Sequence, residues 1–103
     1  MKYEMISLII AEGALEILDF LSKREVGHFK ELRKLKNMRT GTFFSTTTIS
    51  SRLKELLEYN AIEKTISISS GRNVVAYKIS SAGRRALELA DRFDKELGEV
   101  LKK

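Results

Sequence analysis

Between Ile49 and Ile79 the apolar residues change their spacing once, and that change fixes most of what the chain can become. Ile49, Leu53, Leu56 and Leu57 recur at helical spacing, so "TTTISSRLKELLEY" predicts a helix over about Thr46–Tyr59. Directly afterwards Ile62, Ile66 and Ile68 alternate with Glu63, Thr65 and Ser67. Val75, Tyr77 and Ile79 alternate in the same way beyond "SSGRN", a turn cluster at Ser69–Asn73 around Gly71. Two alternating runs joined by a glycine turn predict a β-hairpin. At 103 residues the chain has room for one compact domain, so helix and hairpin share one core.

The flanking segments are helical. Met5–Lys23 is apolar nearly all round, from Ile6 and Ile10 to Leu18 and Leu21, so a helix here is buried on more than one side. Gly13 weakens it locally and can set its first turns apart. "REVGHF" breaks the pattern, with Gly27 as the turn residue. Phe29, Leu32 and Leu35 then predict a short second helix, "FKELRKLKN", ending at Asn37. "MRTGTFF" (38–44) reads as a loop. Ser45 is the expected N-cap of the third helix, with Phe44 and Ile49 as a hydrophobic staple across its start. Ser81 is the expected cap of a last helix over 82–103. The order is helix, helix, helix, hairpin, helix: an α+β chain, mostly α.

Composition removes whole classes of chemistry. There is no Cys and one His, which leaves no basis for disulfides, thiolate metal sites or a histidine-dependent triad. The six glycines are scattered and make no phosphate loop. No catalytic, metal-ligating or cofactor-binding set is expected. No apolar run approaches the roughly 18 residues a membrane span needs. The N-terminal apolar stretch is short, flanked by Glu4 and Glu12, and lacks a cleavage site, so a cytoplasmic protein is expected.

Charge is unevenly distributed. From Arg24 to Arg85 there are 13 Lys/Arg against 5 Asp/Glu, a net +8, whereas residues 1–23 carry −2 and residues 86–103 carry −1. The centre of the chain is suited to a polyanion and the ends to something else.

Helix, turn and helix followed at once by a hairpin is the layout of a winged helix-turn-helix. "FKELRKL…STTTISSRLKELLEYNAIEKTI…VAYKISSAGRRAL" resembles the winged-helix transcriptional regulators of archaea and bacteria of the HxlR, PadR and MarR kind. The resemblance covers about Ala14 to Ala90. It rests on S-xx-T-[IL]-S-x-RL-x-EL and, in the second strand, on Y-x-[IL]-[ST]-xx-G. One departure is the seven-residue connection "MRTGTFF", where the family has a short turn; Phe43 or Phe44 is expected to plug the core there.

The resemblance implies binding of double-stranded DNA, with the third helix, about 46–59, in the major groove and the wing tip, 69–73, near the minor groove. The residues agree with that use. With Ile49, Leu53, Leu56 and Leu57 turned inward, Thr47, Thr48 and Ser51 face outward, flanked by Lys54, with Ser50 and Arg52 at the margins. Thr46 in the first turn is counted with them as a DNA-binding candidate. Short hydroxyl side chains allow close approach to base edges, and threonine methyls can touch thymine methyls. Arg72 on the wing tip suits a narrow minor groove. Lys30, Arg33, Lys34 and Lys36 on the second helix, and Arg39 in the loop, are candidates for phosphates. Glu55 and Glu58 face the same way and oppose DNA unless Arg52 and Lys54 pair with them. They keep open an alternative, a winged-helix protein–protein module of a transcription or replication complex.

In the last helix Ala86, Ala90, Phe93, Leu97 and Val100 recur at heptad-like spacing, and Ile6 and Ile10 add a second apolar surface at the N-terminus. Leu87, Leu89 and Leu101 lie off that seam and can serve the domain's own core. A homodimer joined through both terminal helices is expected, which would set two recognition helices on a palindromic site.

Overall fold

The computed structural model describes residues 2–102. The elements run α1 (Glu4–Ile10), α2 (Ala14–Ser22), β1 (Gly27–His28), α3 (Phe29–Leu32), α4 (Thr46–Glu58), β2 (Ile62–Ser69), β3 (Arg72–Ile79) and α5 (Ser81–Leu101). Ile17, Leu18 and Leu21 of α2, Leu32 of α3, and Ile49, Leu53 and Leu56 of α4 meet Ile62 and Ile79 at the base of the hairpin. This is the winged-helix arrangement, and its core is where the periodicities place it. Phe44 is the plug, 9% exposed, while Phe43 points outward at 64%.

The N-terminal apolar stretch is two helices. Gly13 has φ +88, a conformation glycine adopts freely, and α1 leaves α2 there. All of α1 is exposed or half-buried.

Three sequence expectations are corrected. The second helix ends at Leu32 instead of Asn37. After it the amides of Lys34 and Leu35 bond to the carbonyls of Glu31 and Leu32, three residues back, which tightens and ends the helix. Lys36 then pairs across to Phe43. The sheet has three strands in the order β1-β3-β2, because Gly27 and His28 pair antiparallel with Tyr77 and Ala76. Gly27 is therefore a strand residue and not a turn. Its missing side chain leaves room for the core, since a Cβ would lie 2.6 Å from Leu21 Cδ2 and the leucine would have to shift. Finally, the cap of α5 is Ser80 and not Ser81: Ser80 Oγ accepts the Gly83 amide at 2.9 Å.

The hairpin runs in register from Ile62↔Ile79 to Ser69↔Arg72, closed by Ser70 and Gly71, both with positive φ. Two such residues form the turn that matches strand twist. Only the base of its apolar face is covered; Ile66, Ile68 and Val75 stand exposed further out.

The 21 residues of α5 project from the domain, which measures 55 × 28 × 27 Å. Leu87 packs on the core. Leu89 and Leu101, expected to do so, are 48% and 74% exposed and join Phe93, Leu97 and Val100 on the outside.

The start of α5 lies on backbone. A Cβ on Gly83 would sit 2.0 Å from the Ala61 carbonyl oxygen, which neither a rotamer change nor a small side-chain shift relieves. Gly83→Ala is expected to destabilise the domain by at least about 2 kcal/mol in urea unfolding, whereas Gly98→Ala, with open space around it, should be neutral or stabilising.

Candidate nucleic-acid interface

Ser45 Oγ accepts the Thr48 amide at 3.0 Å and caps α4 as expected. Phe44 and Ile49 are both in the core, so the entry of the helix is fixed on its inner side. Its outer side divides in three. Thr46, Thr47, Ser50 and Lys54 are exposed. Ser50, Leu53, Lys54 and Leu57 line a shallow cavity of about 210 Å³ with Lys64 and Tyr77 of the hairpin, so this flank faces the wing. Thr48, Ser51 and Arg52 are half-buried, and Arg52 belongs to the opposite flank.

That second flank is closed by the α1–α2 turn. A Cβ on Gly13 would lie 3.3 Å from Arg52 Cγ. The Arg52 guanidinium is paired to Glu55 and its Nε is buried without a partner among the described residues. Arg52 is thus held along the helix by Glu55, and this pair removes one of the two outward carboxylates. Glu58 forms no ion pair with Lys54 among the described residues and lies at the far end of α4.

From Leu32 to Lys54 there are six Lys/Arg and no Asp/Glu. Of these six, Arg52 alone is in an ion pair among the described residues. Lys30, Lys34 and Arg39 are exposed before α4, and Arg72 is exposed where the wing turn enters β3. The structure leaves these basic side chains and the first turn of α4 exposed, and sets one flank of α4 against Phe29 and the Lys64 and Tyr77 positions of the hairpin.

One residue near this surface has a position the sequence did not reveal. His28 Nε2 lies 2.7 Å from Ser67 Oγ and Nδ1 lies 3.2 Å from Glu31 Oε1. The ring reaches diagonally from β1 across β3 to β2, past its own pair partner Ala76, which is small and fully buried, to Ser67, the pair partner of Val74. Glu31 also accepts the His28 amide at 3.0 Å and pairs with Arg24 at 2.7 Å. The amide bond comes first among the causes holding the Glu31 carboxyl below its usual range, with the imidazole and Arg24 adding to it against desolvation. Arg24, Glu31, His28 and Ser67 form a strut between the body and the wing. His28 is the N-cap of α3 and Glu31 its local capping-box partner, the role a turn or cap residue in the sequence would have. The contact with Ser67 comes from strand pairing and leaves no sign in the sequence.

Among the described residues no group of His, Cys, Asp and Glu could hold a metal ion, and no helix is long and apolar enough to cross a membrane.

No protein-family model matches the sequence, and no curated protein does. Solved structures do. A PadR family transcription regulator from hypervirulent Clostridium difficile has a TM-score of 0.68 at 23% identity, covering 86% of this chain and 96% of its own. A transcriptional regulator from Thermoplasma acidophilum has a TM-score of 0.63 at 26% identity, with 97% and 98% covered. Another from Clostridium thermocellum reaches 0.68 at 17%, with 96% and 95% covered. The chain has the fold of winged-helix transcriptional regulators of PadR type over nearly its whole length.

The strut makes stability pH-dependent with a definite sign. A carboxylate whose pKa is lowered on folding contributes stability above its unfolded pKa and loses it as pH falls through the folded value. Glu31→Gln should therefore be less stable than wild type at neutral pH, and the gap in urea unfolding should close below about pH 4.5.

Proposed function

We infer that the protein is a homodimeric transcriptional regulator that binds duplex DNA sequence-specifically, with α4 in the major groove and the 69–73 turn at the minor groove. The observation that carries this is the acid-free stretch from Leu32 to Lys54, which holds the exposed hydroxyls of α4 together with exposed cations before it and on it. Unpaired cations attract phosphates, and short hydroxyls let the helix backbone come close to base edges. Thr47 and Ser50, on the free and wing-facing sides of α4, are assigned to bases, with Thr46, Thr48, Ser51 and Arg52 supporting them. Lys30, Lys34, Arg39 and Lys54 are assigned to phosphates, and Arg72 to the minor groove. The likeness in fold to solved transcriptional regulators supports the same use. No step of catalysis is involved.

Dimerisation is supported by the terminal helices. Ile6, Ile10, Phe93, Leu97 and Val100 are 40% to 71% exposed, with Ala86 and Ala90 half-buried beside them on α5. An apolar surface of this extent on two projecting helices fits a second copy of the chain better than water. A two-fold dimer would present two copies of α4 to a palindromic site.

Selection from a random DNA pool, followed by titration at several salt concentrations, tests the assignment. The binding constant should fall with salt at a log–log slope of about −0.9 per phosphate contacted. Thr47→Ala should cost about 1 kcal/mol on the selected site and flatten preference at one base position. Absence of binding to any DNA at low salt, with a protein partner found on α4, would replace this function by an interaction module. Independently, Phe93→Glu with Leu97→Glu should convert a dimer to a folded monomer in sedimentation and weaken DNA binding steeply.

A further inference from the structure

The segment Lys36–Phe43 has a built structure. Lys36 pairs with Phe43, the Asn37 amide bonds to the Thr42 carbonyl at 2.8 Å, and the Gly41 amide bonds back to the Asn37 carbonyl at 2.8 Å. Asn37 Oδ1 accepts the amides of Arg39 and Thr40 at 2.8 and 3.2 Å, which closes the tip, and Gly41 takes φ +73. The ribbon is tied to the body by the Met38 amide, which donates to Glu16 Oε2 of α2 at 2.9 Å. Its outer surface is basic and its side chains are outward: Lys36, Arg39, Thr40, Thr42 and Phe43 are exposed, with Lys36 Nζ 5.0 Å from the Phe43 ring.

Its position relative to α4 is fixed by short connections. Phe43 is two residues before the Ser45 cap, at most about 7 Å away along the chain. Lys36, one strand spacing further, is within about 12 Å of the cap, the width of a major groove. The wing lies along the Ser50 and Lys54 flank of α4. The ribbon's anchor, Glu16, belongs to the helix that begins at Gly13, on the Arg52 flank. Asn37, Met38 and Arg39 also border a cavity of about 510 Å³ shared with Ile10 of α1 and Ala90 of α5. Its lining includes the carboxylates of Glu12, Glu16, Asp91 and Asp94, so Arg39 stands at the boundary between the basic ribbon and the acidic terminal segments. Wing and ribbon therefore flank α4 on opposite sides, and the ribbon is on the side of the terminal helices.

We propose that the 36–43 ribbon is a second backbone clamp, in which Lys36 and Arg39 hold DNA phosphates between the two half-sites while the wing holds the outer flank. This rests on the assignment of the chain as a dimeric duplex-DNA binder. The ribbon is on the α1 and α5 side, so in a dimer joined through those helices it points toward the two-fold axis. Its cations carry no base information, so it adds affinity and fixes half-site spacing without adding base preference.

The test uses the full chain and the DNA site that wild type selects from a random pool. Lys36→Ala with Arg39→Ala should lower the steepness of the log–log salt dependence by about 0.9 for each chain's lost contact, about 3.6 for a dimer. Hydroxyl-radical protection of the central phosphates should vanish, outer protection should persist, and the selected bases should be unchanged. Arg72→Ala should do the reverse, losing outer protection only. Wild-type binding with an unchanged slope and central protection in the double variant overturns the clamp and leaves DNA binding standing. Wild type that binds no DNA at low salt removes the clamp and the underlying function together. A melting temperature equal to wild type checks that the double variant, altered at two exposed positions, is folded.

Discussion

The carbonyl of Ala61 is the point at which the body, the wing and the long helix are joined. It accepts the Ser80 amide at 3.1 Å and lies 2.9 Å from the Ser80 hydroxyl, which is shared with the Asn60 carbonyl at 2.6 Å. The same hydroxyl oxygen caps α5 through Gly83, and Gly83 can approach because it has no Cβ. On the other side, the Ala61 amide bonds to the Leu56 carbonyl and Asn60 takes φ +61, which ends α4 and turns the chain into β2. The end of α4, the first residue pair of the hairpin and the start of α5 are therefore held within one group of backbone atoms. The direction of α5, and with it the placing of any second copy, is referred to α4 through this contact.

The interior follows from the same junction. Ile62 and Ile79, the first cross-strand pair, close the core over Leu53 and Leu56, while the outer hairpin residues receive no cover. The wing is thus a lever supported near its base. His28 adds a second support further out, at Ser67, five residues along β2 from Ile62. A hairpin supported at two points along its length keeps a defined angle to α4.

What could be read from the sequence was what neighbours in sequence determine. The period of α4, the alternation of β2 and β3, the Ser45 cap and the freedom of Gly13 each depend on residues within about one or two turns, and each was legible. Strand β1 was not, because two residues carry no alternation and their pairing with β3 spans the chain. The choice between Ser80 and Ser81 as cap depended on carbonyls twenty residues earlier. The second helix was overextended because Leu35 continues its spacing, while Asn37 offers its own side chain to the Arg39 and Thr40 amides and closes a turn instead. "NMRTG" contained that signal. At the candidate interface the hydroxyl face of α4 was legible from periodicity, but the half-burial of Arg52 beneath Gly13 required the α1–α2 turn to be known.

The distribution of charge has a geometric meaning once the elements are placed. From Phe29 to Ile79, that is α3, the ribbon, α4 and the wing, there are 10 Lys/Arg against 4 Asp/Glu, a net +6. Arg84 and Arg85 at the start of α5 supply the rest of the central excess, and the helices at the two ends carry the exposed apolar surface. Along α5 the exposed Glu88, Asp91, Asp94, Glu96 and Glu99 outnumber the local cations. A polyanion approaching such a molecule is drawn to α4, the ribbon and the wing and repelled by the acidic outer part of α5. Those helices remain free for an apolar, uncharged association. Pairing Glu55 with Arg52 serves the same division, because it neutralises a carboxylate on the basic face without exposing a further cation. The basic face of α4 and the wing and the apolar, acidic outer part of α5 are thus different surfaces of one small domain, and they meet at the ribbon, where Arg39 borders the same cavity as Asp91 and Asp94.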